Sequence, residues 1–150
     1  MKKEFVMRGQ TACGGTEILE FGARTKENKN MAYRLIEFAI YPSTGIGSNN
    51  DELAASITAG KTALDPTVPN FNDDGLIATA LFKLYSSTAY APNGMVVIND
   101  TFSITQNLIL MVQNTDSGTP VNWQCKFEAV KMTDAQTAAT NYKQFTIFDE

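Results

Sequence analysis

The chemistry open to this chain is limited first by a residue type that it lacks, because its 150 residues contain no histidine. Histidine is the usual base beside a serine or cysteine nucleophile, a common metal ligand and the side chain whose ordinary pKa lies nearest neutral pH. An active site here would have to use paired carboxylates, a lysine base or a phosphate-binding loop.

Residues 59–62 carry the Gly-Lys-Thr ending of a phosphate-binding P-loop. The motif also requires a glycine five positions before Gly60, where the chain has Ala55. Without that glycine the backbone cradle for phosphates is missing. The segment is therefore interpreted as a polar turn.

Residues 70–75 match the first half of an EF-hand calcium loop, with oxygen-bearing side chains at alternate positions and glycine at the sixth. The twelfth position, where an EF-hand has a bidentate glutamate, is Leu81. This excludes an EF-hand and leaves open a calcium ion that bridges Asp73 or Asp74 to a neighbouring loop or subunit. The remaining carboxylates are interpreted as solvated. The sequence predicts no enzyme and assigns no catalytic, cofactor-binding or metal-binding residue.

The two cysteines, Cys13 and Cys125, lie far apart and neither belongs to a CxxC pair. This spacing excludes the usual zinc and redox motifs. For a protein made in the cytoplasm it favours two reduced thiols over a disulfide.

Length and composition predict one domain over residues 1–150. A hydrophobic content of 43 % is enough for a core, while no apolar run approaches the roughly 18 residues of a membrane span. The opening MKKEFVMRG has no apolar stretch behind it and does not support a secretory signal.

Charge is unevenly distributed along the chain. Residues 1–34 carry a net charge of +3 and residues 35–150 a net charge of −7. Proteins that bind polyanions usually concentrate lysine and arginine on one face or in an arm. We therefore expect weak or no direct binding of nucleic acid.

Alternation of apolar and polar residues is clearest near the C-terminus and predicts three consecutive antiparallel strands at 95–100, 103–113 and 121–130. In the last of them one face is apolar: Val121, Trp123, Cys125, Phe127 and Ala129. Turn-forming residues between the second and third segments predict a hairpin.

The N-terminal half offers candidate strands at 5–7, 18–21 and 32–41. Residues 76–87 fit a helix or a strand covered on both faces, and the lack of any polar face favours the strand. Residues 51–60 fit either state. Residues 61–75 are interpreted as a long loop of the kind that often has a function.

The segment after Lys131 has a cap-like Thr133 or Asp134 but no apolar stripe, which predicts a short helix that frays or an extended tail. Residues 145–148 are apolar beyond what the preceding core needs. The tail, residues 133–150, is therefore predicted to contact another subunit. Together these elements predict an all-β, antiparallel, jelly-roll-like sandwich of about eight strands.

Residues 96–133, with the polar tail that follows, resemble the C-terminal strands of small jelly-roll or β-sandwich virion proteins of environmental viruses of prokaryotes. The resemblance implies a non-catalytic structural protein that assembles with copies of itself and with other virion proteins. It implies a virion location after synthesis in the host cytoplasm. Viral shell proteins that package nucleic acid often carry a dense basic arm, and this chain has only Lys2, Lys3, Arg8, Arg24, Lys26, Lys29 and Arg34 in that region.

Two alternatives stay open: a phage tail or filament component, and a carbohydrate-binding module. A sugar platform could use the aromatic residues Phe102, Phe127, Trp123, Tyr85 and Tyr90. Trp123 lies on the apolar face of its strand, which favours a core position over a ligand site.

Overall fold

The computed structural model describes residues 3–21, 30–44, 50–60, 62–84 and 93–148. Within them the chain forms eight strands and then one helix. In chain order these are β1 (Glu4–Thr11), β2 (Thr16–Leu19), β3 (Met31–Pro42), β4 (Asp51–Ala59), β5 (Leu76–Leu84), β6 (Asn93–Ile98), β7 (Leu108–Asn114), β8 (Val121–Lys131) and α1 (Asp134–Phe148).

The strands form two antiparallel sheets. The three-stranded sheet has the order β1-β8-β3, and the five-stranded sheet has the order β2-β7-β4-β5-β6. The chain alternates between the sheets from β1 to β4, stays in the five-stranded sheet through β7 and crosses back at β8, which resembles the path of a jelly roll. The predicted all-β, jelly-roll-like sandwich of about eight strands is confirmed, with β6 paired to β5 at the end of the larger sheet.

Period-two alternation locates β7 and β8 correctly. The side chains predicted to be dry in β8 are buried or half-buried, and Leu108, Leu110 and Val112 are fully buried in β7. The strand predicted at 103–113 is shorter than expected. Its first residues leave β7, because Ile104 forms an isolated bridge with Tyr33 of β3.

The two ambiguous segments are both strands. β5 covers the described part of residues 76–87, whose last three residues lie outside the description, and β4 covers most of 51–60. β4 lacks a polar face because loop residues cover its outer side: the Ser56 hydroxyl donates a hydrogen bond of 2.7 Å to the Leu64 carbonyl. A strand covered on both faces loses its alternation.

An aromatic cluster forms one end of the core between the sheets. The rings of Phe5, Phe21, Tyr33 and Phe127 meet at centroid separations of 4.8–6.0 Å in tilted, stacked and edge-to-face arrangements. Cys125 lies in the same core, and burial raises the pKa of its thiol to about 12. Both cysteines are free, and Cys125 is too protonated at neutral pH to act as a nucleophile.

Helix α1 begins with a reciprocal capping box. The backbone amide of Gln136 donates to Thr133 Oγ1 at 3.2 Å, and the backbone amide of Thr133 donates to Gln136 Oε1 at 2.9 Å. The C-terminal segment is therefore a capped helix of 15 residues. No helix in the described ranges is long and apolar enough to cross a membrane.

Gln144 attaches α1 to the sandwich. Its side chain is buried, its Oε1 accepts hydrogen bonds from the Thr105 amide at 3.2 Å and from the Thr105 hydroxyl at 3.0 Å, and its Nε2 donates to the Ser103 carbonyl. Ile147, one turn later, packs against the core and faces Gly60 and Gly75. The helix needs no apolar stripe because a few contacts of this kind hold it.

Candidate functional site

The residues with calcium-loop spacing are used in local turns. Asn70 Oδ1 accepts from the Asn72 amide at 3.0 Å, and Asp73 Oδ1 accepts from the Gly75 amide at 2.9 Å. Across the described residues no group of three or more cysteine, aspartate or glutamate side chains could hold a metal ion. These hydrogen bonds stabilise turns within the loop.

The Gly-Lys-Thr segment noted in the sequence is described only in part. Gly60 follows the end of β4 with a φ of +143°, and Lys61 lies outside the described residues. Cys13 is half-buried at the β1–β2 turn, where its Sγ accepts a hydrogen bond from the backbone amide of Asn114 at 3.2 Å. The Cys13 thiol also donates to Gln113 Oε1 at 3.4 Å, so it lies against neutral amide groups.

The three described aromatic residues that were considered for sugar stacking do not form an exposed platform. Phe102, Phe127 and Trp123 are buried, and Tyr85 and Tyr90 lie outside the described residues. The Trp123 indole N–H donates to Thr11 Oγ1 at 2.9 Å. A Cβ on Gly9 would lie 2.9 Å from the indole Cζ2, so the ring packs directly on this glycine. The predicted core position of Trp123 is confirmed.

The long loop lies across the outer face of the five-stranded sheet and is internally braced. Asp65 Oδ1 accepts from the Thr67 hydroxyl at 2.7 Å and from the Thr67 amide at 2.9 Å. These two hydrogen bonds lower the pKa of the Asp65 carboxyl, the side-chain bond having the larger effect. Pro66 and Pro69 restrict the backbone further. These hydrogen bonds and prolines therefore order the loop within the single chain.

An apolar groove of about 280 Å³ lies between this loop and the sheet. Loop residues Pro66, Pro69 and Phe71 and strand residues Ala54, Leu81, Met95 and Val97 line it, together with Glu52, Lys83 and Thr115. Phe71 is 65 % exposed and Met95 is 62 % exposed. Large apolar side chains gathered at this level of exposure are typical of interaction surfaces.

The groove ends at β6, an edge strand with apolar side chains on both faces. Among the described residues β6 pairs with β5 alone. Met95 and Val97 lie on the groove side, and Val96, which is 42 % exposed, lies on the opposite face. We refer to the outer side of this strand as the open edge.

Helix α1 carries a second exposed apolar surface. Tyr142 and Phe145 are 75 % and 69 % exposed and border a hollow with Asn141 and Gln106. The prediction that residues 145–148 exceed the needs of the core holds for Phe145 and is wrong for Ile147, which packs against the core. This happens because a helix places Phe145 and Ile147 on different faces.

A third surface is a trough of about 540 Å³ on the three-stranded sheet, bordered by both polar and apolar side chains. Its outward-facing side chains are Arg8 from β1, Asn122 and Gln124 from β8, and Ala39 and Tyr41 from β3. The Tyr41 ring lies 6.3 Å from that of Phe82, nearly parallel to it. The small Ala39 between larger neighbours makes the surface concave.

Sequence reasoning missed the groove, the open edge and Tyr41. One signal was present: residues 95–98 are four consecutive apolar residues in a short strand. Such a strand is either covered on both faces or exposed on both, and only the sheet order shows that β6 is the last strand. The sequence itself matches no protein-family model and no curated protein.

Proposed function

We propose that this chain is a virion structural protein that self-assembles into a viral capsid or a capsid-associated shell and performs no catalysis. Jelly-roll sandwiches are a common architecture of capsid proteins, although lectins share it. The resemblance of residues 96–133 to virion proteins favours the capsid alternative. The fold alone would not distinguish the two.

The observation that carries this proposal is the presence of two separate exposed apolar surfaces. One is the groove with the open edge, and the other is formed by Tyr142 and Phe145 on α1. A subunit of a closed shell must contact several neighbours at once, so it needs more than one contact surface. A monomeric binding domain would need only one.

The charge distribution supports a shell role in which other components hold the genome. The C-terminal 116 residues are net negative, and the basic residues of the first 34 form no dense run. Counterion release scales with the number of phosphates neutralised, so this chain would gain little from it. The partners proposed are other copies of the chain and other virion proteins.

The proposal is tested by electron microscopy of the purified chain across a concentration series. We expect closed particles or sheets; filaments would instead favour a tail or filament component. Phe145→Ser and Tyr142→Ser should reduce particle yield at least about tenfold without unfolding the chain, since both side chains are exposed. Tyr41→Ser, on the three-stranded sheet, is the control. A chain that stays monomeric at every concentration contradicts the proposal.

A carbohydrate-binding module is the second candidate, and the trough on the three-stranded sheet is the observation in its favour. Tyr41 offers an exposed ring, and Arg8 and Gln124 offer hydrogen-bond donors beside it. A glycan array with and without calcium tests this function. Binding that Tyr41→Ala abolishes would support it, and no signal in either condition would remove it.

A further inference from the structure

The four edge strands of the two sheets differ in how they are protected against pairing with another chain. Natural proteins guard edges with charged side chains, prolines or bulges. Three of the edges carry such charges: Glu4 and Arg8 in β1, Glu17 in β2, and Arg34 and Glu37 in β3. β3 also has a register shift between Leu35 and Glu37.

The open edge of β6 has none of these devices. Its sequence is Asn-Gly-Met-Val-Val-Ile, with no charged residue and no proline, and its pairing with β5 is regular throughout. A regular, uncharged and apolar edge favours the addition of another strand.

The hydrogen bonds of β6 fix which of its backbone groups face outward. The Asn99 amide donates to the Ile77 carbonyl at 2.8 Å, which continues the β5–β6 register by one residue. Because inward and outward groups alternate along an antiparallel strand, Met95 and Val97 also bond toward β5. The N–H and C=O groups of Gly94, Val96 and Ile98 therefore point to the open edge.

We infer that β6 pairs with β6 of a second copy of this chain, antiparallel about a two-fold axis that passes beside Val96; this deepens the proposed self-assembly and rests on it. In that register Val96 faces Val96, and Gly94 faces Ile98 of the other copy. All three outward residues of each strand then exchange N–H···O=C bonds, which gives six bonds. Shifting the axis to Met95 or Val97 leaves only four such bonds within the strands.

The same register covers the exposed side chains. Directly opposed residues of an antiparallel pair lie on the same face. Met95 therefore packs beside Val97 of the other copy on the groove side, at both ends of the axis. The two Val96 side chains meet on the opposite face. The three most exposed apolar residues of β6 are thus all buried by one contact.

Opposite charges lie at the same end of the paired strands. Lys83 of β5 is paired with Asn93, which faces Asn99 of the other copy in this register. Asp100 follows Asn99, so the exposed Lys83 and the other copy's Asp100 lie at the same end, with backbones roughly two strand spacings (~10 Å) apart. At that separation the opposite charges attract each other weakly through solvent, and the two-fold axis repeats the pair.

This contact is small beside the roughly 800 Å² per partner that stable dimers bury. We therefore expect a weak dimer in solution that becomes stable inside a shell, where each copy is held by several contacts. The experiments accordingly use cross-linking and high protein concentration.

The first experiment tests the register with single cysteines in a Cys13→Ser background, where the remaining native thiol is the buried Cys125. Val96→Cys places two thiols on residues whose Cα atoms lie about 5.5 Å apart, within the range of a disulfide. Met95→Cys, the control, places them on diagonal residues about 8 Å apart, beyond that range. Mild oxidation should give a covalent dimer from Val96→Cys alone. Equal yields from both variants, or none from either, overturn the inference.

The second experiment uses charge at the axis. Val96→Lys and Val96→Asp should each raise the dimer Kd at least about tenfold in sedimentation equilibrium, because like charges then face each other. Their equimolar mixture should restore dimers. Val6→Lys, at a site of similar exposure in β1, is the matched control and should dimerise like the wild type. Wild-type chains that stay monomeric at millimolar concentration, or a Val96→Lys dimer of wild-type affinity, overturn the inference.

Different experimental results would contradict the β6–β6 contact and the proposed shell function. Particles formed by Val96→Lys in electron microscopy would overturn the β6 contact and leave the shell function intact. Wild-type dimers that depend on Val96 and never grow into particles would support the contact and count against the shell function.

Discussion

The outer edges of β3 and β6 differ in whether another described segment of the chain pairs with them. Along β3, the Tyr33 amide donates to the Ile104 carbonyl at 2.9 Å and the Ile104 amide donates to the Tyr33 carbonyl at 2.6 Å. Helix α1 then holds this crossing segment through Gln144. Along β6, no described residue pairs with the outer side.

The chain therefore covers the outer edge of β3, which lies beside its core, whereas no described residue covers the outer edge of β6. Ile104 is fully buried, so the bridge to β3 also closes the core. β6 is the last strand of the larger sheet, and its outer backbone groups pair with no described residue. Breaking the sealed edge should therefore unfold the protein, whereas changing the open edge should alter association alone.

Ile104→Ala should have the largest effect on stability. The change leaves a cavity where the crossing segment meets the core, and such truncations lower the free energy of unfolding by about 2–5 kcal/mol. Urea denaturation followed by tryptophan fluorescence measures it, since Trp123 lies in the same core cluster.

Ile18→Ala is the matched control, because Ile18 is 63 % exposed in β2. It should change the free energy of unfolding by less than about 0.5 kcal/mol. Equal losses in the two variants would mean that the bridge at Ile104 does not seal the core, and the contrast between the edges would be lost.

Gln144→Ala should have the next largest effect. It removes three hydrogen bonds between α1 and residues 103–105 in a buried site, which predicts a loss of about 1–3 kcal/mol in thermal or chemical unfolding. Gln124→Ala, on the exposed side of β8, is the control. If Gln144→Ala unfolds no more readily than Gln124→Ala, then α1 does not hold the crossing segment.

Thr133→Ala tests the start of the same helix and should have a smaller effect. Loss of the capping hydroxyl lowers helix stability by about 1 kcal/mol, and Thr133→Ser keeps the hydroxyl and should restore it. The expected result is faster hydrogen exchange in the first turn of α1 with the sheets unaffected. Faster exchange throughout the sandwich would show instead that the helix and the sheets unfold together.

The sequence allowed strands to be predicted where one face of the strand is buried and the other is exposed to solvent. β7 and β8 follow that pattern, so alternation located both. β4 was left undecided because the loop buries its outer face, a long-range effect that a local pattern does not contain. The strand predicted at 103–113 was too long because Gln144, distant in sequence, holds Thr105 out of β7.

The candidate site was less predictable for a related reason. Whether an apolar strand such as β6 is central or at an edge depends on the order of strands in the sheet, which local sequence does not encode. Tyr41 was overlooked because it alternates correctly as a solvent-facing residue of β3. The concavity beside it depends on Ala39 and on neighbours from two other strands.

The smallest expected effect is a difference in amide hydrogen exchange along β6, which involves no change in the free energy of unfolding. At low concentration, amide hydrogen exchange should alternate along β6. Met95, Val97 and Asn99, which bond to β5, should exchange at least about tenfold more slowly than Gly94, Val96 and Ile98, whose amides face solvent. As concentration rises, only the second set should slow down, and Val96→Lys should prevent it. If the outward amides are already protected in the monomer, another part of the same chain covers the open edge, and β6 would be sealed as β3 is.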